Sequence, residues 1–146
     1  MEKILLLTHG GWGEGLLRSI EMILGKIDFV KEIALRPQDL LNEFQEKVDT
    51  YVEEERKAAL LAREPLHITI FTDLYGGTPT NVAAVKANAS PEGIDVITGL
   101  NSALLLEACT QIQIKHTLDI ASLLENSSHS IFDVMAKIYG TEETHA

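Results

Sequence analysis

The sequence predicts an open, doubly wound α/β domain whose mainly parallel sheet carries helices on both faces. Three observations lead there. Apolar runs of strand length alternate with stretches of helical periodicity along most of the chain. Two of those runs end on a chemically active residue followed by glycines, at His9-Gly10-Gly11 and at Asp73-Leu74-Tyr75-Gly76-Gly77. No repeat, low-complexity tract or Pro/Gly/Ser-rich linker divides the 146 residues, so residues 1–146 are expected to form a single domain. Strand–helix alternation of this kind implies parallel strands joined by right-handed crossovers, and sites in such sheets lie at strand carboxyl ends where the strand order reverses. His9 and Asp73 are therefore expected to meet in one crevice.

In order along the chain, Lys3 to Thr8 is nearly continuous in apolar residues, as a strand covered on both faces should be. Gly10, Gly11, Gly13 and Gly15 form the following turn, and Leu16, Leu17, Ile20, Ile23 and Leu24 recur at helical spacing before Gly25 stops the helix. Phe29 to Leu35, interrupted by Lys31-Glu32 and closed by Arg36-Pro37, reads as an edge strand. Asp39 is placed to cap a long helix carrying Leu40, Leu41, Phe44, Val48, Tyr51 and Val52, with Glu53 to Lys57 as a solvated face and Glu64-Pro65 as its end. His67 to Thr72 is the third strand. Thr78 as N-cap and Pro79 as first helical residue open a helix that runs to Ala89. Ser90-Pro91-Glu92-Gly93 is a turn, Ile94 to Thr98 a fourth strand, and Asn101-Ser102 leads into a helix over Ala103 to Gln111. Leu118 to Leu124 reads as helix, broken at Ser127-Ser128, and Ile131 to Tyr139 fits strand and helix equally.

Composition narrows the function. With 45% hydrophobic residues the chain can bury a full core unaided by disulfide or metal. The net charge of −10, from 22 acidic against 12 basic residues, argues against nucleic acid or an anionic membrane as partner. Cys109 is alone, so no disulfide framework and no cysteine-based metal site is expected, and a buried inert thiol in a reducing compartment is the simpler reading. The N-terminal apolar run is too short for a signal-peptide core, and no stretch approaches the ~20 apolar residues of a membrane span. The expectation is a soluble cytoplasmic protein.

The chemistry centres on His9. A neutral imidazole attacks phosphorus well, because its ordinary pKa lies near neutrality and one ring nitrogen keeps a free lone pair. It needs a fixed tautomer, which a carboxylate accepting from Nδ1–H supplies while Nε2 points outward; Asp73 is the candidate. Gly10, Gly11, Gly76 and Gly77 let backbone N–H groups approach a phosphoryl group, and the helix starts after them offer uncapped donors and a positive dipole end. On this reading anion stabilisation needs no cation. Thr78 and Asn81 have side chains that reach a phosphoryl oxygen or else satisfy local backbone groups; Asn101 lines the same crevice or simply caps a helix. Trp12 is a partner-contact residue beside His9 or a core plug, and with Leu74 and Tyr75 it is a candidate for an apolar docking rim that excludes water. His67 begins a strand, His116 and His129 lie in polar stretches and His145 in the tail, so all four read as structural or solvent-facing. No spacing suggests a metal site, no cofactor is implied, and no Gly-x-Gly-x-x-Gly or phosphate-loop lysine follows the first strand.

Ile4-Leu5-Leu6-Leu7-Thr8-His9-Gly10, Asp73-Leu74-Tyr75-Gly76-Gly77-Thr78-Pro79-Thr80-Asn81, Val96 to Asn101 and Leu104 to Ala108 together resemble the enzyme IIA component of the mannose family of the bacterial phosphoenolpyruvate-dependent sugar phosphotransferase system. The likeness covers roughly residues 3–125 in register, and its specificity lies in the motifs taken together. It implies that His9 accepts a phosphoryl group at Nε2 from the histidine-containing phosphocarrier protein and passes it to a histidine of enzyme IIB, which phosphorylates sugar entering through the membrane permease subunits. Asp73 would orient His9, and Thr78 with nearby amides would receive phosphoryl oxygens. The resemblance also implies a homodimer that exchanges a C-terminal antiparallel strand, for which Ile131 to Val134 is the candidate.

Threonine at 78 stands where serine is common in the family, which keeps the hydroxyl and adds a methyl. No enzyme IIB domain follows, so enzyme IIB is expected to be a separate protein. Two other readings stay open. One is the phosphotransfer subunit of dihydroxyacetone kinase, which the Asp73-Leu74-Tyr75-Gly76-Gly77 loop fits less well. The other is a non-catalytic, phosphorylation-sensing regulatory module, which the lack of a DNA-binding segment disfavours.

Overall fold

The computed structural model describes residues 1–91 and 93–140. Glu92 of the expected turn and His145 of the tail lie outside the described residues. The elements are β1 (Glu2–His9), α1 (Trp12–Leu24), β2 (Val30–Leu35), α2 (Leu41–Ala62), β3 (His67–Thr72), α3 (Thr78–Ala89), β4 (Gly93–Thr98), α4 (Ser102–Lys115), α5 (Ile120–Ser127) and α6 (Val134–Tyr139). All four strands are parallel, in the order β2-β1-β3-β4.

The continuous apolar run of β1 is what makes it central. Ile4, Leu5, Leu6 and Leu7 are all fully buried, and strand geometry sends alternate side chains to opposite faces. Ile4 and Leu6 join Phe71, Ile97 and residues of α1, α4 and α5 in one core. Leu5 and Leu7 join Ile68, Ile70, Phe44, Val48, Val52, Val82 and Ala83 in the other, under α2 and α3. Each of these leucines contributes about 1.5–3 kcal/mol by burial, so a polar substitution in β1 would damage both layers at once.

The chain passes from β1 through α1 on one face to β2, then returns across β1 through α2 on the other face to β3. The order therefore reverses between β1 and β3, whose carboxyl ends part to opposite sides and open a crevice. Leu7 pairs with Thr72 in that ladder, so His9 and Asp73 leave adjacent strands at nearly the same height.

Helix caps depart from expectation in three places. Asp39 does not cap α2; its Oδ2 accepts the Arg36 backbone N–H at 2.9 Å and closes the turn after β2, while Leu40 holds the cap position. Thr78 is already helical, with Gly77 in the cap position and no side chain capping α3. Helix α1 begins at Trp12, not after the glycines, because Glu32 on β2 reaches across to it: Glu32 Oε2 accepts the Glu14 N–H and the Thr8 hydroxyl, each at 2.9 Å. A Cβ at Gly13 would push the Glu32 carboxylate out of this position.

The expected edge strand is at an edge. The ambiguous tail resolves as α6, capped by Asp133. In the single copy residues 131–133 have no regular structure and Val134 opens α6. Among the described residues, no helix is long and apolar enough to cross a membrane.

Candidate functional site

β1 delivers His9 and β3 delivers Asp73 to the crevice at the switch point. The Asp73 carboxylate holds the histidine twice: Oδ2 accepts the His9 backbone N–H at 2.7 Å, and both oxygens lie 3.0–3.1 Å from Nδ1. A carboxylate facing Nδ1 favours the tautomer with the proton there, which in a neutral ring leaves the Nε2 lone pair free. The side chain of Asp73 is only 7% exposed, whereas that of His9 is 44% exposed, so the carboxylate is sheltered and the ring is open to a partner.

Two further donors complete the grip, the Leu74 N–H on Oδ1 at 2.9 Å and the Trp12 indole N–H on Oδ2 at 3.4 Å. Burial by itself pushes the Asp73 carboxyl up. The hydrogen bonds from the His9 backbone, the His9 ring and Trp12 outweigh it and hold the group below its ordinary value, so that it is ionised where the protein works.

The loop after Asp73 is braced by Thr80, a residue that sequence reasoning passed over. Its hydroxyl donates to the Leu74 carbonyl at 2.6 Å and lies 2.7 Å from the Thr72 hydroxyl. Thr80 on α3 is thus tied to the residues on either side of Asp73, Thr72 at the end of β3 and Leu74 in the loop. Gly76 turns the chain with φ +80°, a conformation side chains disfavour. Gly77 then passes so close to the imidazole that a Cβ would sit 3.0 Å from Cε1 and 3.5 Å from Nε2 of His9. Glycine at 77 keeps the space in front of Nε2 clear.

The two helix starts beside the crevice differ. At the α1 end the Glu32 carboxylate accepts the Glu14 N–H at 2.9 Å, and the Gly10 N–H is engaged by the Leu35 carbonyl at 2.7 Å. The α3 end has no side-chain cap; its first-turn N–H groups lack helical acceptors, and Pro79 removes one such donor. An anion at Nε2 therefore meets the start of α3, where the dipole is favourable.

The other expected residues fall as follows. Thr78 shares with His9 a cleft of about 460 Å³, also lined by Gly10, Arg36, Asp39 and Leu41. Asn81 is exposed on the first turn of α3. Asn101 is a helix cap: Oδ1 accepts the Leu104 N–H at 3.0 Å and Nδ2 donates to the Gly99 carbonyl at 2.9 Å. Trp12 is not a core plug: it is exposed, with its indole N–H bonded to Asp73. Leu74 and Tyr75 stand out at 63% and 88% exposure, an apolar rim beside the imidazole. Among the described residues, no group of His, Cys, Asp and Glu side chains is arranged to hold a metal ion.

Comparison with known proteins gives one consistent picture. Residues 3–127 match the family described as PTS system fructose IIA component. A "PTS system sorbose-specific EIIA component" of Lacticaseibacillus casei is 28% identical over 105 residues, covering 72% of this chain and 70% of that protein. Among solved structures, the PTS IIA protein associated with the fucose utilization operon of Streptococcus pneumoniae superposes with a TM-score of 0.77 at 28% identity, covering 94% of this chain and 96% of that one. A mannose/sorbose-specific IIA subunit from Enterococcus faecalis gives 0.74 at 25% identity, covering 91% and 94%.

Proposed function

The chain belongs to the mannose-type family of phosphotransferase-system IIA components, whose work is phosphoryl transfer in sugar uptake, and within that family we propose that His9 is the residue that carries the phosphoryl group. The observation that supports this most directly is the asymmetry of its ring, with Nδ1 bonded to Asp73 and Nε2 open beside Gly77 and the uncapped start of α3.

The Nε2 lone pair attacks the phosphorus of a donor phosphohistidine. The new N–P bond forms as the old one breaks, and the electron pair of the old bond stays on the donor imidazole. The His9 ring gains positive character, which the Asp73 carboxylate offsets while the proton remains on Nδ1. The transition state is loose, so positioning and charge stabilisation suffice, and the donors at the start of α3 with the Thr78 hydroxyl face the equatorial oxygens. Return of the pair to Nε2 releases the group to the next acceptor.

The donor is the histidine-containing phosphocarrier protein and the acceptor a histidine of enzyme IIB, which serves the membrane permease subunits. The phosphocarrier protein and enzyme IIB meet the chain in the cytoplasm through the rim of Trp12, Leu74 and Tyr75, and the permease subunits are reached only through enzyme IIB. Self-association into a homodimer is part of the same reading: Ile131, Met135 and Ile138 are exposed apolar residues in a single copy. Sedimentation of the protein as a monomer at micromolar concentration would remove the dimer from it. The central experiment is labelling by phosphoenolpyruvate with the general phosphotransferase proteins. The wild type should acquire acid-labile phosphate and His9→Ala none; an unlabelled wild type, or a labelled variant, sinks the assignment.

A further inference from the structure

We infer that Arg36 is a cationic arm of the His9 site, whose guanidinium bonds the oxygens of a phosphoryl group on Nε2; the inference rests on the phosphocarrier reading of His9. Three observations place it there. Leu35 pairs with His9 in the sheet and accepts the Gly10 N–H, so Arg36 leaves β2 beside the first residues of the turn after β1. Its guanidinium lies over Gly11, where a Cβ would be 3.5 Å from Nη2 and 4.0 Å from Nη1. Arg36 also lines the cleft that His9 and Thr78 share.

The acidic neighbours leave the guanidinium unclaimed. Glu14 pairs with Arg18 at 2.9 Å. Glu32 is engaged by the Thr8 hydroxyl and the Glu14 N–H. Asp39, also on the cleft, accepts the Arg36 backbone N–H, which fixes the turn and the direction in which the side chain departs. Among the described residues no carboxylate forms an ion pair with the Arg36 guanidinium. On a chain of net charge −10, an unpaired guanidinium beside a nucleophile faces a general repulsion of dianions and offsets it locally. Its planar fork matches phosphoryl oxygens in a way an ammonium does not. The start of α3 supplies donors from one side of the cleft and Arg36 a full charge from the other.

The test compares wild type, Arg36→Gln and Arg36→Lys in the reconstituted relay, with phosphorus NMR of the phosphorylated proteins as a function of pH. Arg36→Gln should slow phosphorylation on the order of tenfold, and should raise the pH at which the phosphoryl oxygens titrate, because the dianion loses its cation. Arg36→Lys should recover part of both. A slower rate with an unchanged phosphorus titration would make Arg36 a docking residue and overturn the inference, as would rates and titration both equal to wild type. Failure of the wild type to be labelled would overturn the His9 reading itself, and this inference with it.

Discussion

His9 and His67 occupy opposite ends of the same sheet, and both are bonded to carboxylates, yet the two arrangements have opposite chemical consequences. His67 opens β3 at the amino-terminal edge, where Glu2 on β1 and Asp95 on β4 each take one ring nitrogen, both at 2.7 Å. Bonds to both nitrogens require both to be protonated, and the Glu2 bond, opposed by burial and reinforced by Asp95, raises the pKa to about 9. That imidazolium staples three strands and has no lone pair to offer. His9 has one nitrogen held and the other free. The number of ring nitrogens that carboxylates occupy, more than the nearness of acid, separates a nucleophile from a structural cation.

The largest effect should come from exchanging the roles. His9→Gln is expected to abolish phosphoryl labelling, while His67→Gln keeps it at wild-type stoichiometry, measured by acid-labile phosphate per chain. Label on the His9 variant that the His67 variant lacks would invert the comparison. Next in size is Asp73→Asn, which removes the charge and lets the amide present N–H to Nδ1. The tautomer is then no longer fixed, and transfer should slow on the order of a hundredfold with the melting temperature nearly unchanged. Wild-type kinetics in that variant would leave the carboxylate without a role in transfer.

Much of this contrast could be read before the structure. The runs Ile4–Leu7 and Ile68–Thr72 have the composition of strands buried on both sides, and the rule of right-handed crossovers then brings their ends together, so the meeting of His9 with Asp73 followed from pattern and chirality. What escaped were bonds that pattern does not encode. Glu32 looked like a charged interruption marking an edge strand; its side chain instead reaches across to accept the Glu14 N–H in the first turn of α1. Thr80 appeared as one more residue of a helix start, although it clamps the Asp73 loop. Arg36 was a strand terminator, and the approach of its guanidinium to Gly11 was not legible in the pattern. Each is a contact between separate elements, fixed by where a side chain points. The tail resisted for another reason: Ile131 to Tyr139 is apolar without clear period, and its large side chains remain exposed even as helix.

The smallest effect tests the other half of the comparison. The folded pKa of His67 is raised to about 9 from 6.5, so the folded state binds this proton more tightly than the unfolded chain does. Its contribution to stability is therefore complete below about pH 6.5, declines as the unfolded chain loses its proton, and is gone once pH has passed through about 9. The ring is about a quarter exposed, its side chain showing 26% of its surface, so screening reduces the contribution to about 1–2 kcal/mol. In a domain of this size that corresponds to a few degrees in Tm, roughly 3–6 °C. Thermal melts of wild type should fall by that amount more than those of His67→Gln between pH 6.5 and pH 9.5, with subtraction of the variant removing every other titrating group. Parallel melting curves would mean that the two carboxylates do not hold a charged ring, and the distinction between the two histidines would then rest on His9 alone.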